Sequence, residues 1–108
     1  DMISRGGENI YPREVEELLF AHPTVAEVAV VGLPDNRWGE VISAFVRPAP
    51  GEVIDRGELF VYLREHLAPH KTPRHWFQVD EFPLTGSGKI QKFVLRDQWV
   101  DGQWTELA

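Results

Sequence analysis

A lysine at the end of a short glycine-rich loop is the first place in this sequence where residue types and spacing could do chemistry. The loop reads, in order, Pro83, Leu84, Thr85, Gly86, Ser87, Gly88 and Lys89. Small and hydroxyl residues of this kind let backbone amides and an ammonium approach an anion. The segment is not a Walker loop, because its glycines are too closely spaced and Ile90 replaces the Ser or Thr that would hold magnesium. On this loop alone, an ordinary surface loop with a solvated lysine is the favoured interpretation.

A basic cluster is the second candidate. Lys71, Arg74 and His75 lie close together in a chain that is otherwise acidic. Such side chains bind phosphate groups, so these residues could contact an anionic ligand. A solvated surface strip explains the same residues equally well.

Two histidines, His66 and His70, have the four-residue spacing at which side chains on a helix can share a metal ion. Pro69 would interrupt the helix that aligns them, and the chain has no cysteine to supply further ligands. We therefore expect this chain to bind no metal by itself.

Composition places the chain among ordinary soluble globular domains. Its 108 residues are 43% hydrophobic and 26% charged, which suits one modest core and is too little for two domains of ordinary size. The net charge of -6 disfavours a general affinity for nucleic acid or anionic membrane. No apolar run approaches the roughly 18 residues of a membrane-spanning helix, and no signal-peptide pattern opens the chain. We expect a cytoplasmic protein without a transmembrane segment or a nucleic-acid partner.

The elements that must position these residues begin with a hairpin. Two short extended stretches flank Gly6 and Gly7, and a Gly-Gly pair between such stretches predicts a tight turn. A helix is predicted from Pro12, which suits a first helical position, to about residue 22. Its acidic residues, Glu14, Glu16 and Glu17, are expected to form a solvated face.

The rest of the chain alternates between strand and helix patterns. Residues 25–31 and 41–46 predict an antiparallel pair joined by a loop over residues 33–39, and their unbroken apolar character predicts a covered sheet. Asp55, with Glu58 three residues later, predicts the cap of a second helix. The remaining predicted elements are a strand over residues 76–79, a loop over residues 83–88 and a helix over residues 91–99. The expected fold is α+β, with helices packed on a small sheet and a two-stranded hairpin at the N-terminus.

A second segment supports a functional role for the loop that ends at Lys89. It is formed by residues 1–12, which read Asp-Met-Ile-Ser-Arg-Gly-Gly-Glu-Asn-Ile-Tyr-Pro. These two segments, about eighty residues apart, resemble the C-terminal domain of the superfamily of acyl-CoA synthetases, peptide-synthetase adenylation domains and luciferases. Intervening matches follow in the same order, at residues 28–32, 34–35, 38–40 and 71–73. The resemblance covers nearly the whole chain and is closest to acyl-CoA synthetases.

In that superfamily a large N-terminal domain binds ATP and the carboxylic acid. The C-terminal domain rotates between one pose for adenylation and another for thioester formation. The resemblance therefore implies that residues 1–108 form such a mobile lid domain, and that its partner is an N-terminal domain of the same enzyme outside this chain. The family's hinge residue would lie just before Asp1, so we expect the chain to be a piece of a larger protein.

The resemblance also implies roles for single residues. Lys89 matches the lysine that reaches the carboxylate and the α-phosphate during adenylation. Gly6, Gly7 and Glu8 match the face that lines the channel for the pantetheine arm in the second step. Without the resemblance, the Gly-Gly pair would indicate only a tight turn.

Three further residues are implied contacts of CoA. Some acyl-CoA ligases that resemble this chain stack the adenine of CoA on a tryptophan at the position of Trp38, although a core tryptophan is an equal alternative. Lys71 and Arg74 match the region that contacts the phosphates. Thr72 departs from the family pattern, because a basic residue can occur beside this proline, and the departure leaves the contact with phosphate open.

The implied reaction uses Mg-ATP and CoA as substrates of the parent enzyme, which would adenylate a fatty or other acid and transfer the acyl group to CoA. No cofactor is expected on this domain alone, and the isolated domain should have no synthetase activity. Two alternatives stay open. One is an adenylation domain or aryl-acid ligase that delivers to a carrier protein, and the other is a non-catalytic binding module that has kept the fold.

Overall fold

The computed structural model describes residues 1–108. It contains five β-strands and three α-helices, so the predicted α+β class is confirmed. In chain order the elements are β1 (Ile3–Arg5), β2 (Glu8–Ile10), α1 (Pro12–Phe20), β3 (Val25–Asp35), β4 (Gly39–Pro48), α2 (Arg56–Arg64), a 3-10 turn (Pro69–Lys71), β5 (His75–Gln78) and α3 (Lys92–Val100). None of these helices has the length and apolarity needed to cross a membrane.

The strands form one mixed sheet around β4. One edge of β4 pairs with β3 along its whole length. The other edge is shared by β1, which meets it at Arg5 and Gly39, and by β5, which runs parallel to residues 43–46. A parallel neighbour needs a long crossover, and residues 49–74, which include α2, supply it. This arrangement places the turn at Gly6 and Gly7 beside the turn that joins β3 to β4.

The β3–β4 hairpin is longer than the sequence predicts. Residues 33–39 were expected to be a loop, but pairing runs to Asp35 and Gly39 and leaves only residues 36–38 unpaired. Pro34 is tolerated because β3 is an edge strand, where a missing N–H can face away from the sheet. The carboxylate of Asp35 then accepts the N–H groups of Arg37 and Trp38, at 3.0 and 2.9 Å, and turns the chain back.

The sheet is covered on both faces, which confirms the expectation from its apolar strands. One face packs against α1 and α2, through Val15, Leu19, Leu59 and Leu63. The other packs against α3 and the C-terminal segment, through Phe45, Phe77 and Leu95. Each such side chain contributes about 1.5–3 kcal/mol when fully buried. The two covered faces hold β3 and β4, and therefore their connecting turn, in a fixed place.

The helices differ in how firmly they are anchored. The predicted cap of α2 is confirmed, since the Asp55 carboxylate accepts the N–H of Glu58 at 3.1 Å. This helix ends at Arg64, so the buried Leu67 lies in the turn that follows the helix. Helix α3 buries only Leu95 completely, and Lys92 at its start forms ion pairs with Asp1 and Glu16.

The C-terminal residues return to the edge of β5. The N–H of Leu107 donates to the carbonyl of Trp76 at 2.8 Å, and Arg56 donates to the carbonyl of Leu107 at 2.9 Å. Trp104 meets the ring of Phe45 edge-on, with centroids 5.1 Å apart. The segment thus covers a strand edge that would otherwise be open.

Candidate functional site

The glycine-rich segment at residues 83–91, here called the lysine loop, is closed by backbone hydrogen bonds at its base. The N–H of Gln91 donates to the carbonyl of Pro83 at 2.8 Å, and Leu84 forms an antiparallel bridge with Ile90. These contacts join the two ends of the loop. The loop is therefore a short hairpin held on the surface.

Thr85 organises the inside of this hairpin. Its N–H donates to the carbonyl of Lys89 at 2.8 Å, and its Oγ1 accepts the N–H of Lys89 at 3.0 Å. Its carbonyl accepts the N–H of Gly88 at 3.0 Å, and Gly88 has a φ of 85°, a region that favours glycine. The hydroxyl also lies 3.1 Å from that of Ser87, whereas Gly86 is open to solvent. Thr85 consequently fixes the backbone of Lys89 at both its N–H and its carbonyl.

The side chain of Lys89 is exposed and borders an open groove. The groove is lined by parts of α1, β3 and the start of α3, including the carboxylates of Asp1, Glu16 and Glu27. The ammonium of Lys89 nevertheless makes no ion pair or hydrogen bond within the chain. A cation on a rigid loop with no internal partner is available to an anionic ligand.

Glu16 corrects one expectation about this groove. Glu14 and Glu17 are exposed, as predicted for a solvated helix face, but Glu16 turns inward and is only 24% exposed. Its carboxylate accepts the N–H of Val30 at 2.9 Å. The periodicity of the helix could not reveal this, because the unpaired N–H belongs to the edge strand β3.

A second surface, the glycine-tryptophan corner, consists of Arg5, Gly6, Gly7, Glu8 and Trp38. The turn between β1 and β2 has two residues, Gly6 and Gly7, with φ of 57° and 86°. Two positive φ values in a two-residue turn are the pattern that a twisted hairpin prefers. The predicted hairpin is confirmed, and its register puts Glu8 opposite Arg5.

Trp38 packs directly on this turn. The N–H of Gly6 donates to the carbonyl of Trp38 at 2.8 Å. A Cβ atom at Gly6 would lie 2.7 Å from Cε3 of Trp38, closer than any side chain permits. Two segments separated by more than thirty residues thus form one continuous surface. Only glycine fits at position 6, because φ is positive there and because a Cβ atom would collide with the indole of Trp38.

Two arginines that sequence reasoning did not assign to a site lie over the indole. The guanidinium carbon of Arg5 is 4.1 Å from the ring centroid of Trp38, and that of Arg37 is 5.0 Å away. Such cation-π contacts hold the ring and place positive charge beside it. The signal was present in the sequence, since Arg5 precedes the turn and Arg37 precedes the tryptophan. Their meeting depends on the pairing of β1 with β4.

Asp35 holds the backbone of the corner from below. The Asp35 carboxylate accepts the N–H of Trp38, and this hydrogen bond lowers the pKa of Asp35 below its ordinary value of 3.8. The N–H of Arg37 and the nearby charge of Arg74 lower it further. Hydrogen bonds to the ionised form stabilise that form. The loop that carries Trp38 is therefore tied to an ionised carboxylate at neutral pH.

The predicted basic cluster is divided among different partners. Lys71 lies 3.3 Å from the carboxylate of Glu14 on α1, and His75 lies 2.8 Å from that of Glu106 in the C-terminal segment. Arg74 is exposed, and its guanidinium has no acidic partner within 4.0 Å. Of the three, only Arg74 presents an unpaired positive charge near Asp35 and the corner.

The histidines and the other tryptophans have structural neighbours. His66 contacts the carbonyl of Tyr62, and His70 lies 3.1 Å from the carboxylate of Glu8, so the two rings face different partners. Trp76 is fully buried, with its N–H donated to the carbonyl of Pro73. Trp99 on α3 and Trp104 in the C-terminal segment pack against the apolar cluster on that face of the sheet. Trp38 is the tryptophan that borders a polar surface.

The lysine loop and the corner do not meet. No residue of the corner lines the groove around Lys89, which is bordered by α1, β3 and α3 instead. One surface offers a free ammonium to an anion. The other offers an indole, flanking guanidinium groups and a turn without side chains, a combination suited to a flat ring, a phosphate and a thin chain.

Known proteins share both the sequence and the fold. Over 96 residues, or 89% of this chain, it is 53% identical to a feruloyl-CoA synthase of Amycolatopsis, of which it covers 20%. A fatty acyl-CoA synthetase of Mycobacterium tuberculosis superposes with a TM-score of 0.86 at 41% identity, over 94% of this chain and 20% of that one. MatB of Rhodopseudomonas palustris, in an ATP-bound structure, superposes with a TM-score of 0.88 at 37% identity, over 95% and 20%.

The chain spans about a fifth of the length of these relatives. The model of the family described as the AMP-binding enzyme C-terminal domain matches residues 14–89, a stretch that runs from α1 to Lys89. Family, relatives and fold agree with the resemblance that the two terminal motifs predict. The chain belongs to the family of AMP-binding enzyme C-terminal domains.

Proposed function

We propose that this chain is the mobile lid domain of an AMP-forming acid-CoA ligase. The parent enzyme would convert a carboxylic acid and Mg-ATP to an acyl-adenylate and then transfer the acyl group to the thiol of CoA. One observation carries the proposal: an unpaired lysine on a rigid loop and a packed glycine-tryptophan corner occupy separate surfaces of one small domain. A lid that serves two steps in two poses needs two such surfaces.

Lys89 would act in the first step. A primary ammonium can approach both the carboxylate of the acid and the α-phosphate of ATP, where negative charge must be brought together. A charge pair 4 Å apart at an effective dielectric of 20 is worth about 4 kcal/mol. Because Thr85 holds the backbone of Lys89 on both sides, little reorganisation would be needed when the anion arrives.

The corner would act in the second step. Gly6 and Gly7 carry no side chains, so the pantetheine arm could pass close to the backbone between Glu8 and the indole of Trp38. The adenine of CoA would stack on that indole, and Arg74 and Lys71 would contact the phosphates. Lys71 would have to leave its pair with Glu14 to do so. The guanidinium groups of Arg5 and Arg37 already lie over the ring, so one arginine would have to move aside for a purine to stack there.

The proposal is tested by separating the two half-reactions in the full-length enzyme that contains this chain. Pyrophosphate exchange reports adenylation, and acyl transfer from preformed adenylate to CoA reports the second step. Lys89→Ala should lower exchange by about 100-fold or more and leave transfer intact, in line with the loss of one preorganised charge contact. If both half-reactions are unchanged, Lys89 belongs to an ordinary surface loop and the proposal fails.

Two variants serve as controls for this measurement. Arg74→Ala removes a charge of the same sign from the other surface, and it should raise the KM for CoA while leaving exchange intact. Arg64→Ala removes an exposed cation at the end of α2, away from both surfaces, and should change neither half-reaction. A loss of exchange in all three variants would indicate a general effect of charge, and not a role of Lys89.

The acceptor and the need for the larger domain are tested separately. Transfer to CoA is expected, because the relatives described above include acyl-CoA and feruloyl-CoA synthetases by name. Preferential transfer to a holo carrier protein would favour an adenylation domain that serves such a carrier. The 108-residue chain alone should show no turnover, since ATP and the acid would bind to the N-terminal domain, and the parent enzyme is expected in the cytoplasm.

A further inference from the structure

The groove beside Lys89 contains enough negative charge to capture the ammonium of that lysine. Asp1, Glu16 and Glu27 all line it, from the start of the chain, from α1 and from β3. A flexible lysine beside three carboxylates would ordinarily form an ion pair with one of them. Lys89 forms none.

Each of the three carboxylates already has another partner. The ammonium of Lys92 lies 2.7 Å from Oδ2 of Asp1 and 2.9 Å from Oε2 of Glu16. Arg47 on β4 approaches Oε1 of Glu27 with both Nε and Nη2, each at 2.7 Å. Two cations therefore occupy all the acidic groups that surround Lys89.

The position of Lys92 makes this arrangement unusual. Lys92 is the first residue of α3, and the N-terminus of a helix carries partial positive charge that disfavours a cation. Its side chain is 27% exposed and lies between Asp1 and Glu16. An apolar residue at this position could also attach α3 to the rest of the domain. A cation at this place opposes the helix dipole, so its presence needs the two carboxylates as compensation.

We infer that Lys92 and Arg47 keep Lys89 free by pairing with the carboxylates of the groove. Both are positioning residues in this inference, which rests on the proposed role of Lys89 in adenylation. Without Lys92, Asp1 and Glu16 would compete with the anionic substrate for the ammonium of Lys89. Their uncompensated charge would also repel the substrate itself.

The test uses pyrophosphate exchange in the full-length enzyme. Lys92→Met keeps the length of the side chain and removes its charge. Exchange should fall by about threefold to tenfold. The new ion pair between Lys89 and a freed carboxylate would be exposed, so it would compete only moderately with a substrate. Acyl transfer to CoA from preformed adenylate should be unchanged.

The decisive variant removes both freed carboxylates as well. In Lys92→Met combined with Asp1→Asn and Glu16→Gln, the amide at position 16 can still accept the N–H of Val30, but the charges that could capture Lys89 are gone. Exchange should recover to within about twofold of the wild type if the effect is electrostatic. If Lys92 merely attaches α3 to the body, removing its partners cannot restore activity, and failure to recover would overturn the inference.

Two further variants guard against misfolding and against general charge effects. Arg47→Met frees Glu27 from a different element, so it should lower exchange in the same direction and be rescued by Glu27→Gln. Arg13→Met breaks the exposed pair of Arg13 with Glu17, which does not line the groove of Lys89, and should have no effect. Unchanged exchange in both Lys92→Met and Arg47→Met would reject the inference.

The outcome also separates this inference from the proposed function. If Lys89→Ala abolishes exchange while neither Lys92→Met nor Arg47→Met affects it, Lys89 acts as proposed but needs no protection. If Lys89→Ala has no effect, the proposed function itself fails, and the inference fails with it.

Discussion

The lysine loop and the glycine-tryptophan corner present their functional groups in opposite ways. The lysine loop fixes only its backbone, through Thr85, and leaves the side chain of Lys89 without a partner. In the corner the side chain is itself packed, because Trp38 lies against Gly6 and beneath two arginines. One region offers a mobile charge on a fixed base, and the other offers a fixed surface.

This difference follows from what each region has to meet under the proposed function. A charge acts over several ångströms and tolerates some freedom, so a rigid base is sufficient. A surface along which a thin chain passes acts through contact, and contact is lost when the surface shifts by less than the width of an atom. Substitutions at Gly6 or Trp38 should therefore affect folding and function together, whereas replacing the side chain of Lys89 should affect function alone.

The largest expected effect compares the two glycines of the corner. Gly6→Ala and Gly7→Ala both place a side chain at positive φ, which costs about 1–2 kcal/mol. Only at Gly6 would the new methyl group also meet Trp38, which adds about 1–3 kcal/mol of overpacking. Chemical denaturation should therefore show a markedly larger loss of stability for Gly6→Ala. Equal losses would mean that the indole moves aside and that the corner is not a fixed surface.

The next effect concerns the base of the lysine loop. Thr85→Val keeps the shape of the side chain but removes the acceptor of the N–H of Lys89. Pyrophosphate exchange should fall by about tenfold because the loop positions Lys89 less well, while stability should fall by about 1 kcal/mol. Ser87→Ala, which removes only a hydroxyl contact with Thr85, is the matched control and should have a smaller effect on both. A fall in stability without a fall in exchange would remove the contrast between the two regions.

A smaller effect distinguishes the two regions by pH. The pKa of Asp35 is lowered in the folded protein, so its ionised form stabilises the fold above its ordinary value of 3.8, and this contribution disappears as the pH falls through the lowered pKa. Asp35→Asn should therefore be less stable than the wild type near neutral pH, with a difference that shrinks as the pH falls below 3.8 and vanishes below the lowered pKa. The neutral hydroxyl of Thr85 gives the lysine loop no such dependence. A difference that persists in acid would show that Asp35 does not act through its charge.

The smallest effect is expected at Glu8. Its pair with His70 is exposed and charged only when the histidine is protonated, so Glu8→Gln should change the free energy of unfolding by less than about 0.5 kcal/mol. Thermal denaturation at pH 7.5 would measure this, with Gly6→Ala as the positive reference. A loss greater than about 1 kcal/mol would show that Glu8 contributes to the packing of the corner, and is not merely an exposed member of it.

Local patterns were sufficient to predict the elements of this fold. Proline at position 12, the aspartate cap at position 55 and the Gly-Gly turn each specify a backbone conformation through interactions within a few residues. The strand ends were predicted less well, because the residues around Pro34 resemble a loop, whereas pairing with β4 extends the strand past them. Edge position is a property of the sheet, and a local pattern does not contain it.

The residues of the candidate site also divide into those that the sequence indicated and those that only the structure brought together. Lys89 and the glycines were proposed from the family resemblance, because the loop and the Gly-Gly turn by themselves indicate only ordinary surface structure. Arg5 was missed because its contact with Trp38 depends on a strand pairing, and Lys92 was missed because its partners come from the start of the chain and from α1. The basic cluster at residues 71–75 was compact in sequence, but its side chains face different neighbours.

The sequence by itself determined which residues could do chemistry and which family the chain resembles, because residue type, short-range spacing and the order of motifs along the chain are carried by the sequence. The tertiary structure alone decided which charges remain free. Lys89 lies beside three carboxylates and pairs with none, because Lys92 and Arg47, which lie on other elements, already pair with them. Charge pairing depends on distance in space, and only folding brings α1, β3, β4 and α3 within range of one another.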